Sequence, residues 1–387
     1  MNREFVCFTI ISGVISFCYN VVMIVVPLRM TDHGMNYAMV GTAMSAVAVG
    51  LMIIKLLIGH LSDRLGTRRF ILTSLAGLCV VSFFLARANN IFQFGILLAA
   101  IGIFRGIFLS VNGSYVLSLS ENDGYGKVYG TVQGISSILA SIGGMISGVL
   151  YVLNEGEYAL YICGFLLFVG IIGAIKGLGK NECVYKERLP IKKVLSSINK
   201  QIFIFCIIVF VQSFVAGPMW NFIIPVYCYD ILLLSPAVVG VLMSLDELIS
   251  SPTYIVAGNI VDKVNVVKFN IVFLLVTALG GFLMMKATSI TLFVGFFLLC
   301  SISISCTFVG IPKERIEYIN KNQKGFELAF ISMCGSLGDS FGSSIMGNVA
   351  EKLEMQYCML IFAITYICMA IFVILPAIKK KRNKNAE

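Results

Sequence analysis

The sequence predicts an all-α integral membrane protein, with twelve transmembrane helices in two pseudo-symmetric six-helix bundles. Three observations carry that expectation. The 387 residues are 58% apolar and 13% charged, with a mean hydropathy of +0.92, whereas an ordinary soluble domain is about 25% charged. The apolar runs are long and continuous rather than alternating, so helices and not a barrel satisfy the backbone in lipid. At about 20 apolar residues per crossing, the chain has room for roughly a dozen spans.

Apolar runs place those spans at about 5–29, 37–59, 68–87, 91–118, 126–152, 157–177, 201–229, 235–259, 267–286, 290–311, 325–350 and 355–378. The first is too long for the core of a cleavable leader and lacks a small-residue cleavage pattern, so it is expected to remain as a span. Nearly all of the 29 Lys and Arg gather in alternate loops and at the termini, which places both termini in the cytoplasm of what reads as a bacterial cell membrane. The net charge of +9 is then an orientation signal, not a nucleic-acid face. The longest loop, 178–200, divides an N-terminal bundle at 1–177 from a C-terminal bundle at 201–378, and a basic tail follows at 379–387. Within that loop Leu189, Val194, Leu195 and Ile198 interleave with lysines. The pattern fits a short helix lying on anionic headgroups and equally a plain tether.

The twelve cysteines sit mostly inside apolar runs, without a Cys-x-x-Cys, and read as small buried side chains. The two histidines, His33 and His60, fall in predicted loops and are not expected to be ligands. No metal, cofactor or disulfide framework is expected, and no nucleophile–base constellation points to an enzyme.

The two halves read as copies. Val40, Gly41, Met44, Ser45, Gly59, Asp63, Arg64 and Phe70 recur at one constant offset as Val239, Gly240, Met243, Ser244, Gly258, Asp262, Lys263 and Phe269. Gly126, Gly143 and Gly148 recur at the same offset as Gly325, Gly342 and Gly347, and Pro27 returns as Pro225, one residue out of step.

Between the second and third spans lies a short charged hinge, Gly59-His60-Leu61-Ser62-Asp63-Arg64-Leu65-Gly66-Thr67-Arg68-Arg69. Gly66 suits a tight turn, and Asp63 can pair with Arg64, Arg68, Arg69 or a helix N-terminus. The pattern Gly-x-x-x-Asp-Arg-x-Gly-x-Arg-Arg resembles the loop signature of the major facilitator superfamily of secondary transporters, with Thr67 where that family usually carries a basic residue. The echo at Gly258, Asp262 and Lys263 is more degenerate. The resemblance covers essentially the whole chain. It implies duplicated six-span halves that rock about a site near the midplane, with Asp63 and the arginines latching the cytoplasmic side.

Ionisable residues at membrane depth are expensive and mark function by default. Arg105, Asp246, Glu247 and Asp339 lie near mid-span. Arg105-Gly106-x5-Asn112-Gly113 is similar to the fourth-span signature of proton-coupled members of that superfamily, which implies a coupling role for Arg105 and places Asn112 at the cavity. A structural ion pair is the rival role. Asp246 and Glu247 point about 100° apart. Glu247 shares a small polar stripe with Gly240, Ser244, Ser251 and Gly258, and Asp246 shares its face with Ser250 and Thr253. Either can carry a proton, since a carboxylate withdrawn from water holds its proton more tightly; Asp246 is preferred. Asp339, among Gly335, Gly338, Gly342 and Gly347, is a third candidate or a structural partner.

In the fifth span Gly143, Gly144 and Gly148 form a small-residue packing face. It partly resembles the fifth-span motif of drug/proton antiporters, with Met145 where that motif has a proline. Pro218 frees backbone groups in the seventh span, and Asn20, Trp220 and Asn221 are placed at a cavity. The function expected is that of a monomeric proton-coupled transporter for a small organic compound, most plausibly an exporter by antiport. Uptake by proton symport and a transporter-like receptor are the alternatives.

Overall fold

The computed structural model describes residues 3–65, 67–119, 125–154, 156–179, 200–316 and 324–373. Among them are twelve helices and no strand: α1 Arg3–Asp32, α2 Tyr37–Leu65, α3 Thr67–Leu85, α4 Ile91–Leu119, α5 Tyr125–Asn154, α6 Glu157–Gly177, α7 (200–231), α8 Pro236–Val261, α9 Val266–Lys286, α10 Ile290–Ile316, α11 Lys324–Leu353 and α12 Gln356–Phe372. Nine are long and apolar enough to cross a membrane. The helices α8 and α11, which carry Asp246, Glu247 and Asp339, are not among those nine, and α12 is shorter.

The duplication is visible in how the helices pack. In the first half α1 lies on α5, α3 on α4, and α3 on α6; in the second α7 lies on α11, α9 on α10, and α9 on α12. Even the turns repeat. Gly34 after α1 has φ 75°, and Leu233, its counterpart after α7, has φ 53°. Gly156 before α6 has φ 77°, and Glu354 before α12 has φ 82°. The chain clusters into two compact units, residues 1–187 with 224–248, and 188–223 with 249–387.

Two boundaries differ from the sequence expectation. The charged hinge is mostly helix: α2 runs through Gly59 to Leu65 and α3 restarts at Thr67, so His60 is helical rather than in a loop. A helix emerging from lipid keeps its hydrogen bonds for as long as nothing breaks them. Likewise α10 passes Pro312 and ends at Ile316, carrying Glu314 into a buried position with 1% of its surface exposed.

Helix α7 is the irregular one. It is α-helical over Lys200–Pro218, takes π turns at Met219–Ile223 and Tyr227–Ile231, and has one short α stretch, Ile224–Val226, between them. Pro218 cannot donate to the carbonyl of Phe214. That carbonyl is covered by α11 instead: a Cβ on Gly342 would collide with it, so the Cα of Gly342 supplies the contact. Replacing Gly342 with Leu therefore forces α11 off α7, and we expect at least a several-fold loss of folded protein in the membrane. The check is size-exclusion profile and abundance of Gly342→Ala and Gly342→Leu against the wild type. Leu at wild-type abundance would contradict the close crossing.

In the first unit the end of α1 is pinned by Arg29, 2% exposed, which donates to Glu157 at the start of α6 at 3.1 Å. Its other end is pinned by Glu4, which accepts the Tyr115 hydroxyl at 2.5 Å and the Gly179 amide at 3.0 Å. These contacts tie α1 to α4 and α6 at one end and to α6 at the other.

Candidate functional site

In the first unit α1, α4 and α8 bring one cation, one aromatic ring and one carboxylate together. Arg105 on α4 lies with its guanidinium 3.0 Å from the ring centroid of Tyr19 on α1. A ring face attracts a cation, most strongly where water is scarce. Glu247 on α8 is in electrostatic contact with Arg105, and Asp246 with Glu247. The electrostatic contact of Arg105 thus runs to Glu247, with Asp246, the carboxylate the sequence reading preferred, directly beside it in the chain. A small apolar pocket opens beside the pair, lined by Tyr19, Arg105, Cys18, Leu78, Ile101 and others.

Next to Tyr19, Asn20 points toward α5 and α8. A Cβ on Gly144 would come within 3.0 Å of Asn20 Oδ1 and would clash with the hydroxyl of Ser244. Gly148 meets the carbonyl of Pro236, and Gly240 meets that of Gly144. Gly143 packs instead on the carbonyl of Phe17 in α1. The small stripe of α8 therefore meets α5 through Gly240 and Ser244, whereas a side chain at Gly258 would meet nothing. Asn112, two turns along α4 from Arg105, is buried, and neither its Oδ1 nor that of Asn20 has a hydrogen-bond partner among the described residues. A buried amide oxygen without a donor costs free energy, and such atoms are where water or a polar ligand gains most.

The second unit holds the remaining candidates. Asp339 lies directly against Gly217, where a side chain would collide with its carboxylate. Trp220 packs at a tilt against Phe297 and Phe362 at centroid separations of 6.0 and 5.8 Å, and both it and Asn221 are half-buried. Gly347 is buried within α11. Asp262 forms an ion pair with Lys313, while Lys263 is exposed. In the charged hinge Arg68 donates to the carbonyl of Ile175 at the end of α6 at 2.5 Å, and Arg69 is exposed. The side chains of Asp63 and Arg64, and all of Gly66, lie outside the described residues, as do 180–199 of the linker and the basic tail.

Several polar contacts were not singled out from the sequence. Tyr19 is one, Glu314 another: it accepts from Asn270 at 2.8 Å in a buried setting. Gln212 donates to Thr307 at 3.2 Å and Ser305 to Ser250 at 2.9 Å. Such pairs hold helices together where apolar packing alone cannot discriminate. The pairs of small polar side chains carry no sequence signal at all, whereas Glu314 was readable as an acid beside the apolar run that ends at Ile311.

Comparison with known proteins places this arrangement. The model of the Major Facilitator Superfamily matches residues 8–232 and 202–387. Multidrug resistance protein MdtG of Proteus mirabilis (strain HI4320) is 26% identical over 182 residues, 46% of this chain and 45% of that protein. The staphyloferrin B transporter of Staphylococcus aureus (strain NCTC 8325 / PS 47) is 28% identical over 137 residues, 35% of this chain and 32% of that one. The matched stretches thus span less than half the length of these curated relatives. Among solved structures, the nucleoside transporter NupG superposes with a TM-score of 0.82 at 14% identity, over 96% of this chain and 99% of that one; the likeness is one of fold.

Proposed function

Because the chain belongs to the major facilitator superfamily, a family of membrane transporters and not of enzymes, we propose that it is a proton-coupled transporter working by alternating access and that it exports a small organic compound by antiport. Glu247 is the proton carrier, and Arg105 is the counter-charge that feels whether the carboxyl is ionised. The observation that carries this reading is the Tyr19–Arg105–Glu247 grouping, in which Tyr19 and Arg105 stand on helices apolar enough to cross a membrane. When Glu247 is ionised, Arg105 has a partner. When it is protonated, the guanidinium retains only the Tyr19 ring, and substrate or a second conformation competes for it. Asn20 and Asn112 offer unsatisfied amide oxygens to a polar group of the substrate; in the second repeat Asp339 is the further proton-coupling residue, and Trp220 and Asn221 line the cavity.

The export direction is supported by the likeness to MdtG, named as a multidrug resistance protein, and by a chain rich in Phe (29) and Met (17), adaptable side chains suited to varied apolar compounds. Both termini are cytoplasmic in this reading, the protein acts as a monomer, and the hinge with Arg68 and the Asp262–Lys313 pair closes the cytoplasmic side. The test is flux in reconstituted vesicles under an imposed pH gradient, first with the fluorescent cation ethidium and then with a panel of metabolites. Accumulation in an acidic lumen supports antiport. Accumulation in an alkaline lumen replaces it with symport, and flux indifferent to the gradient removes proton coupling.

A further inference from the structure

The two repeats end their first helix alike. Asp32 stands five residues beyond Pro27, and Asp230 five residues beyond Pro225. Each of these carboxylates takes a tyrosine from the other repeat. Tyr229 donates to Asp32, at 3.1 Å to Oδ1 and 3.3 Å to Oδ2. Tyr37, at the start of α2, is hydrogen-bonded to Asp230. Tyr151, at the end of α5, donates to Asp32 Oδ2 at 2.5 Å, and its ring meets that of Tyr229 at 72° with centroids 6.2 Å apart. Asp32 and Asp230 are close enough to repel one another, so the phenols also separate two like charges. One turn inward lies the glycine seam, where Gly148 receives the carbonyl of Pro236. All of these residues belong to the first compact unit.

We propose that this reciprocal pair of tyrosine–aspartate contacts is a clasp that shuts the end of the transporter away from its termini and opens once in each transport cycle. The proposal rests on the alternating-access reading above. The chemistry suits a contact made to be broken. A phenol donating to a carboxylate is a charge-assisted hydrogen bond, stronger than a neutral one. Asp32 is exposed and Tyr229 half-buried, so water replaces each partner when they separate and little is lost. Beneath them, glycines let backbones approach without interlocking side chains, so the seam parts without rotamer rearrangement. An apolar plug in the same place would resist opening far more.

The residue beside the clasp, Cys228, is fully buried and free, which provides a reporter in the natural sequence. The full-length protein in lipid nanodiscs is treated with N-ethylmaleimide, and alkylation of Cys228 is followed by peptide mass spectrometry. In the Tyr37→Phe/Tyr229→Phe double variant both cross-repeat bonds are gone, and the labelling rate rises roughly tenfold. Asp32→Ala, which takes away the acceptor instead of the donor, gives a rise of the same sign. Tyr151→Phe removes a bond made within the first repeat only and stays near the wild-type rate. Wild-type labelling in the double variant overturns the clasp, as does Tyr151→Phe labelling as fast as the double. Should the double variant fail to fold, Asp32→Ala against Tyr151→Phe decides alone. No transported compound is needed, so a failure here is distinct from a failure of the vesicle experiment.

Discussion

Arg105→Ala abolishes proton-linked flux while leaving the protein in the membrane. The guanidinium has two partners, the Tyr19 ring and the Glu247 carboxylate. Removing it leaves a carboxylate at membrane depth without its cation, a state that costs about 3 kcal/mol or more. Each 1.4 kcal/mol is a factor of ten, so the expected loss in flux is about a hundredfold or greater. Arg105→Lys keeps the charge but not the flat, stacked contact with Tyr19, and falls between wild type and Ala. Tyr19→Leu removes the ring alone and costs about tenfold, since an interior cation–π contact is worth about 1–2 kcal/mol. Vesicle flux measured per folded transporter is the readout. Full proton-driven flux in Arg105→Ala would end the coupling role of this residue.

Glu247→Gln separates coupling from transport. The amide keeps the shape of the side chain but takes no proton, so net accumulation driven by a pH gradient disappears. Exchange of labelled for unlabelled compound across the membrane, which requires no net proton movement, persists within a few-fold of wild type. Asp246→Asn is expected to keep the gradient-driven accumulation, because the electrostatic contact of Arg105 runs to Glu247. The reverse pattern, with Asp246→Asn uncoupled and Glu247→Gln normal, would transfer the proton to Asp246.

How much of this was readable in advance follows from what each residue looks like in a row of letters. Arg105 announces itself because a guanidinium inside an apolar run has no cheap explanation. Tyr19 does not, since one aromatic among apolar neighbours is what any membrane helix contains; only the fold shows that its ring lies under the cation. The adjacent acids Asp246 and Glu247 were visible as a pair, but helix geometry alone gives their divergence and not which way either points. Gly144, Gly148 and Gly342 were legible as a packing face. Their true partners, the carbonyls of Pro236 and Phe214 and the hydroxyl of Ser244, depend on helix pairings that no local pattern encodes. Pro218 signalled a disturbance, though a proline predicts where a helix loses a bond and not that the chain responds with two π turns. The tenth span was expected to end at 311, yet α10 continues past Pro312 and buries Glu314.

The widened turns of α7 have a mechanical consequence. The division between the compact units falls at Ile223 and Ile224, at the end of the first π turn, and again in α8 at Leu248 and Ile249, directly after Glu247. A rod whose pitch changes midway does not pass torque from one end to the other intact; twisting at Lys200 is spent in loosening or tightening the wide coils before it arrives at Asp230. Helix α7 is in this sense a torsion spring rather than a lever, and the second connecting rod carries Glu247 right at its joint.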